Sequence, residues 1–101
     1  MKKAIIYIPK NYNNGQEIDP NIINNFITEL MNIAGGLTDK GEVKGFYKNK
    51  QDEIIEDINK NIEIGCTTEQ LEEIKQVLLE LKDQLNQEAI YLEYDNEITF
   101  L

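Results

Sequence analysis

The chain has 101 residues, with ten lysines against nineteen carboxylates and a formal net charge of −9, a size that suits one compact domain and leaves little room for a second core. His, Ser, Arg and Trp are all absent, which removes Ser–His nucleophilic catalysis, His-ligated zinc, bidentate Arg clamps on phosphate and imidazole acid–base work near neutral pH. No apolar run approaches the roughly 20 residues of a membrane-spanning helix, and so acidic a body repels large polyanions, so neither a membrane nor a nucleic-acid partner is expected.

Met1-Lys2-Lys3 followed by Ala4 to Ile8 imitates a secretory leader, but Pro9 closes the apolar stretch after five residues, short of the roughly 7 to 15 such a leader needs. The run reads instead as a strand buried on both faces. Lys10 to Ile18, rich in Asn and holding Asn14-Gly15, is a loop. A first helix follows, capped by Asp19 with Pro20 at its start, where a missing N–H costs nothing. Ile23, Phe26, Ile27, Leu30 and Ala34 recur at helical spacing, and Gly35-Gly36 ends the helix.

After a connection over Leu37 to Lys40, Glu42 to Lys48 and Ile54 to Ile64 read as a hairpin joined by a polar turn. In the longer strand Ile54, Ile58, Ile62 and Ile64 share one parity, and Asp57, Asn59, Asn61 and Glu63 the other, as in a sheet with one wet face. Glu56 and Lys60 break the apolar parity, which either a bulge or exposure at an edge would explain. Thr67 with Gln70 forms a capping box for a second helix, striped by Leu71, Ile74, Leu78, Leu81 and Leu85 to about Asn86. Ala89 to Tyr94 alternates, Asp95-Asn96 suits a tight turn, and Glu97 to Leu101 can pair back as a last strand.

The order predicts an α+β, ferredoxin-like βαββαβ sandwich with an extra C-terminal strand, one domain over 1–101, both helices on one face of an antiparallel sheet. The first strand would then be central. Its two parities are both apolar, so the uncovered sheet face would collect Ile55, Tyr91 and Tyr47 in a patch that a soluble monomer rarely leaves bare. A homo-oligomer is expected, most simply a dimer. Cys66 is the only cysteine, so no internal disulfide forms, and a bacterial cytoplasm is the expected compartment.

Gly35-Gly36-Leu37-Thr38, Gly45-Phe46, Ile54-Ile55-Glu56-Asp57, Gln87-Glu88-Ala89-Ile90 and Ile98-Thr99-Phe100 together resemble a family of small bacterial and phage proteins of unknown function. That family carries a GGLT, G-aromatic, QE-A/S-V/I pattern. Where it often has Trp after the second glycine, this chain has Phe46. The resemblance implies a ferredoxin-like domain, and small phage proteins of this type include sponges that bind nucleotide immune signals.

Candidate site residues each carry a plainer reading beside the functional one. Residues 1–50 sum to +2 and residues 51–101 to −11, and Lys40, Lys44, Lys48 and Lys50 make one local patch able to attract an anion. The first three recur every fourth residue, which on a regular strand places them on one face; they also suit a solvated edge that blocks aggregation. Gly35-Gly36 and Thr38 could cradle a phosphate or merely cap a helix and a turn. Tyr7, Tyr12, Tyr47, Tyr91 and Tyr94 could stack on a base or fill a dimer interface. Glu88 could reach a ribose hydroxyl. Adjacent Glu56 and Asp57 point to opposite faces of a strand and cannot chelate one ion, so no metal and no cofactor is expected. Cys66 could be activated at a helix N-terminus or simply packed.

These residues point to a non-catalytic protein that captures a small anionic, nucleotide-derived ligand at a subunit junction, with the phage sponge for a host immune signal as the form the resemblance suggests. The ligand-binding set is Thr38, Lys44, Tyr47, Lys48, Lys50, Tyr7, Tyr91 and Glu88. The alternatives are a small enzyme, such as a lyase, working with carboxylate or Tyr acid–base chemistry, and an acidic module that blocks a basic protein partner.

Overall fold

The computed structural model describes every residue from Met1 to Leu101. The elements run β1 (Lys2–Pro9), α1 (Pro20–Ala34), β2 (Thr38–Lys48), β3 (Ile54–Cys66), α2 (Thr68–Gln84), β4 (Tyr91–Tyr94) and β5 (Glu97–Phe100). Two helices lie on one five-stranded antiparallel sheet of order β2-β3-β1-β4-β5. This is the ferredoxin-like arrangement with one strand added at the edge.

β1 is central because it pairs with β3 along its whole length and with β4 along four residues. Its Ala4, Ile6 and Ile8 are wholly buried beneath the helices, as are Ile62, Ile64 and Cys66 of β3, while Leu92 of β4 is nearly so. The helices answer with Ile23, Phe26 and Leu30 from α1 and Leu71, Ile74, Leu78 and Leu81 from α2. Seventeen buried residues form one core, and no polar or charged residue is buried with them.

The local signals act as their chemistry requires. The Asp19 side chain accepts from the Asn21 amide, with Pro20 opening the helix, and Gly35 closes it at φ 86°. Thr67 and Gln70 exchange both capping-box hydrogen bonds, and Gln70 Nε2 also donates to the Ile33 carbonyl at 3.2 Å, fastening the start of α2 to the end of α1. Asp95 and Asn96, at φ 52° and 67°, make the left-handed turn that joins β4 to β5.

Two features differ from the sequence reading. Residues 38–40 are strand, not connection, so β2 is longer than expected. Of the two explanations for Glu56 and Lys60, no bulge lies there, and Glu56 is exposed; the ladder's irregularity is in β2, where the register shifts between Asp39 and Glu42. Gly41 sits there at φ 88°, and its amide donates to the Asp39 carboxylate at 2.9 Å. The extra residue reverses the facing of everything beyond it.

β3 also outruns β1. Their pairing stops at Pro9 with Asn59, so the β2–β3 hairpin continues past the helices as an arm closed by a turn over Asn49–Glu53. The Asn49 side chain accepts from the Gln51 and Glu53 amides and holds that turn. The overhang explains why Ile54, though in register with the core isoleucines, is 71% exposed.

Gly41→Ala is expected to lower stability by about 1 to 2 kcal/mol, since nothing obstructs a Cβ there and the left-handed backbone alone resists it. Urea denaturation checks this; an unchanged midpoint would show that the bulge tolerates any residue.

Candidate functional site

The sheet face away from the helices has no covering layer. It is built from the odd-numbered residues of β1 and their partners: Tyr7 lies beside Tyr91 and Asn61, and Ile5 beside Glu63 and Glu93. β5 extends the first row with Phe100 and the second with Ile98. Phe100 and Ile98 are 69% and 57% exposed, so the β5 edge of the face presents apolar side chains to solvent.

At its centre the Tyr7 and Tyr91 rings stack with centroids 4.3 Å apart and planes 12° from parallel. Phe100 meets Tyr91 edge-on at 5.7 Å. The Tyr91 hydroxyl donates to Glu93 Oε1 at 2.9 Å. Burial, followed by the Glu93 hydrogen bond and charge, pushes the Tyr91 phenol up to about 12. Beside Tyr7, the Asn61 Oδ1 is buried and has no hydrogen-bond partner in the chain. Glu93 has no lysine in ion-pair range, so its charge stands unneutralised against the aromatic rows.

Toward one end of this face lies an open cleft of about 420 Å³, lined by Lys3, Gly36, Thr38 and Glu63 among others. Lys3 and Lys40 reach separate oxygens of the Glu63 carboxylate, at 3.4 and 3.5 Å. Toward the other end, on the arm, Tyr47 is held up from its ordinary pKa by burial and by the charges of Asp57 and Glu88. Asp57 is itself raised by burial.

The eight residues singled out in the sequence are therefore divided among separate places. Tyr7 and Tyr91 meet at the centre, Thr38 borders the cleft at one end, and Tyr47 lies with Glu88 toward the other. Lys44 and Lys48 face the opposite side of the sheet, in register with Ile58 and Ile54, and Lys50 lies in the turn at the arm's tip. The expectation that Lys40, Lys44 and Lys48 share a face is corrected by the Gly41 bulge, which leaves Lys40 on the open face and turns the other two away.

Nor do these lysines make a positive patch. Lys44 lies 3.8 Å from Glu56, Lys48 3.6 Å from Asp52, and between Thr38 and Ile58 four lysines stand among six carboxylates. Exposed pairs like these add little stability, roughly 0 to 1 kcal/mol, but they cancel the local field an anion would feel. No group of acids or cysteines converges to hold a metal ion. Cys66 is buried at the end of β3 with its thiol pushed up by burial, so it is packed and not activated. Tyr12 and Tyr94 pack against the core.

Sequence reasoning placed Asn61 and Glu63 on the wet parity of their strand without naming them as site residues, and missed Phe100 and Glu93 as parts of this face. Their signal was register: each pairs directly with a residue of β1 or β4 already placed on the uncovered side.

No protein-family model and no curated protein matches the sequence. Two solved structures do match in fold. A phage SAM lyase in complex with S-methyl-5'-thioadenosine superposes with a TM-score of 0.71 at 15% identity, covering 99% of this chain and 88% of that one. A phage SAM lyase in its apo state gives 0.71 at 14% identity, over 99% and 87%. At such identity the likeness is one of fold.

In an alkaline ultraviolet titration one tyrosine is expected to ionise near pH 12, and Tyr91→Phe should remove that step. Because the folded state holds this proton more tightly than the unfolded chain, stability is fully present below about pH 10 and is lost as pH rises toward 12. Five tyrosines titrating together near 10 would refute the burial of Tyr91.

Proposed function

We propose that this chain binds a small adenosyl compound of the S-adenosylmethionine class on its open sheet face. The observation that carries the reading is the stacked Tyr7–Tyr91 pair, bordered by Phe100 and by the unneutralised Glu93. Aromatic surface accepts the face of a purine, and base–aromatic stacking is worth about 1 to 3 kcal/mol. The buried Asn61 Oδ1 offers an acceptor to a ligand N–H, and an acceptor left unmatched costs about 1 to 3 kcal/mol. A sulfonium centre is favoured near carboxylates and over tyrosine rings. The fold likeness to a SAM lyase that holds S-methyl-5'-thioadenosine supports the same ligand class.

This reading keeps small-molecule capture as the function and changes the sign of the charge it is built around. Tyr7 and Tyr91 form its centre, with Tyr47 and Glu88 at the margin toward the arm and Thr38 at the opposite margin. An anion held by Lys44, Lys48 and Lys50 has less support, since Lys44 and Lys48 are paired with carboxylates on the other side of the sheet. The second reading is cleavage of the bound compound, favoured by the lyase fold likeness and by Glu63 and Glu93 flanking Ile5. Binding or removing an adenosyl donor or signal would each serve a phage against its host.

A second copy of the chain is the partner that closes this face. Phe100, Ile98 and Tyr47 leave more apolar surface exposed than a soluble monomer ordinarily carries, and a symmetric assembly covers it without a further protein.

Incubation with S-adenosylmethionine, followed by heat release and chromatography, tests both fates of the ligand. Retained intact compound supports capture; S-methyl-5'-thioadenosine together with the released four-carbon amino-acid fragment, in excess of a protein-free sample heated alongside, supports cleavage. Tyr7→Ala should weaken binding by at least about tenfold through loss of the stack. Absence of any retained or altered adenosyl compound would end the proposal. Light scattering at micromolar concentration is expected to show a dimer or larger assembly, lost in Phe100→Glu; a wild-type monomer would overturn the second-copy reading.

A further inference from the structure

Resting on the adenosyl-binding reading, we infer that the cleft around Lys3, Thr38, Lys40 and Glu63 is a subsite for a free amino-acid group, the zwitterionic end of a ligand whose base lies on Tyr7 and Tyr91. Three observations lead there. The first is position: Lys3 and Tyr7 are on the same face of β1 and four residues apart, about 13 Å at the rise of an extended strand. That separation is the reach of a nucleoside carrying an extended amino-acid chain. Between them Ile5 presents an apolar track, flanked by Glu63 and Glu93.

The second observation is charge. Along β3, the carboxylate of Glu63 is shared by two lysines, one oxygen facing Lys3 at 3.4 Å and the other facing Lys40 at 3.5 Å. Both contacts are longer than a well-formed charge-assisted hydrogen bond. Two cations on one anion leave one positive charge uncancelled. An α-carboxylate would take that charge, while Glu63 would accept from the α-ammonium. A group bearing both signs thus satisfies all three side chains, which neither a simple anion nor a simple cation does.

The third is shape. The cleft is open, about 420 Å³, with Gly36 on its wall adding no side chain and Thr38 contributing a hydroxyl. Lys40 borders it through Glu63, while the Gly41 bulge turns Lys44 and Lys48 to the other side of the sheet. The lysine cluster of the sequence therefore yields one functional member, and Lys3 from β1 supplies the second.

Two thioethers whose sulfur is uncharged, and which differ in this end, test the inference by isothermal titration: S-adenosylhomocysteine, which carries the zwitterionic amino acid, and S-methyl-5'-thioadenosine, which lacks it. The wild-type protein should bind the former about tenfold or more tightly, the worth of one charge-assisted hydrogen bond. Lys3→Ala with Lys40→Ala should bring the two ligands to within about twofold of each other, and Glu63→Gln should do the same without removing a lysine. All three side chains are at the surface, and a thermal melt verifies folding. Equal wild-type affinities, or a preference that survives both variants, would overturn the subsite while leaving the adenosyl reading intact. Failure of the wild-type protein to bind either compound would overturn both.

Discussion

The structure depends on β1 being flanked by strands on both sides while only one of its faces is roofed. Because side chains alternate along an extended strand, the central position forces Ala4, Ile6 and Ile8 into the core and sends Ile5 and Tyr7 the other way. The helices supply enough apolar surface for one layer. The rows containing Tyr7, Tyr91 and Phe100 are left over from that arrangement, and the candidate site is made of them.

Charge acts at a finer grain than the overall count of −9 suggests. The lysines are distributed so that most meet a carboxylate: Lys2 with Asp95 at 2.7 Å, Lys10 with Glu42 at 2.7 Å, Lys60 with Asp39 at 3.1 Å. Where a carboxylate lacks such a partner and sits near buried rings, as Glu93 does, it shapes the site. The opposed signs around Glu63 at one end and the lone acid near the aromatic centre give the open face a graded character along β1 that neither half of the sequence displays alone.

Much of this architecture was legible in the residues. Pro9, Asp19-Pro20, Gly35, the Thr67–Gln70 box and Asp95-Asn96 each act within a few residues of themselves, so their consequences follow from local chemistry. The ferredoxin-like arrangement followed from the order of the elements, and the uncovered tyrosines from a central β1 that is apolar at both parities. The bulge did not, because Asp39-Lys40-Gly41 can also be read as a turn, and only pairing against β3 reveals that one residue is looped out. The overhanging arm was only half legible: Ile54 to Ile64 is visibly longer than Ala4 to Ile8, but which end of it runs past β1 is set by the pairing of Pro9 with Asn59. Phe100 and Glu93 escaped notice as site members because register across strands far apart in the chain is invisible until the sheet is assembled.

The looped-out residue at Gly41 also bears on how such a protein can change over generations. Loss of one codon there would restore a regular ladder, with a single residue left between Asp39 opposite Ile62 and Glu42 opposite Lys60, so Lys44, Phe46 and Lys48 would keep the side they share with Ile58, Glu56 and Ile54. None of these β2 side chains belongs to the buried core. A single in-frame deletion could thus be absorbed at the bulge, with the surface chemistry of β2 and the scaffold beneath staying as they are.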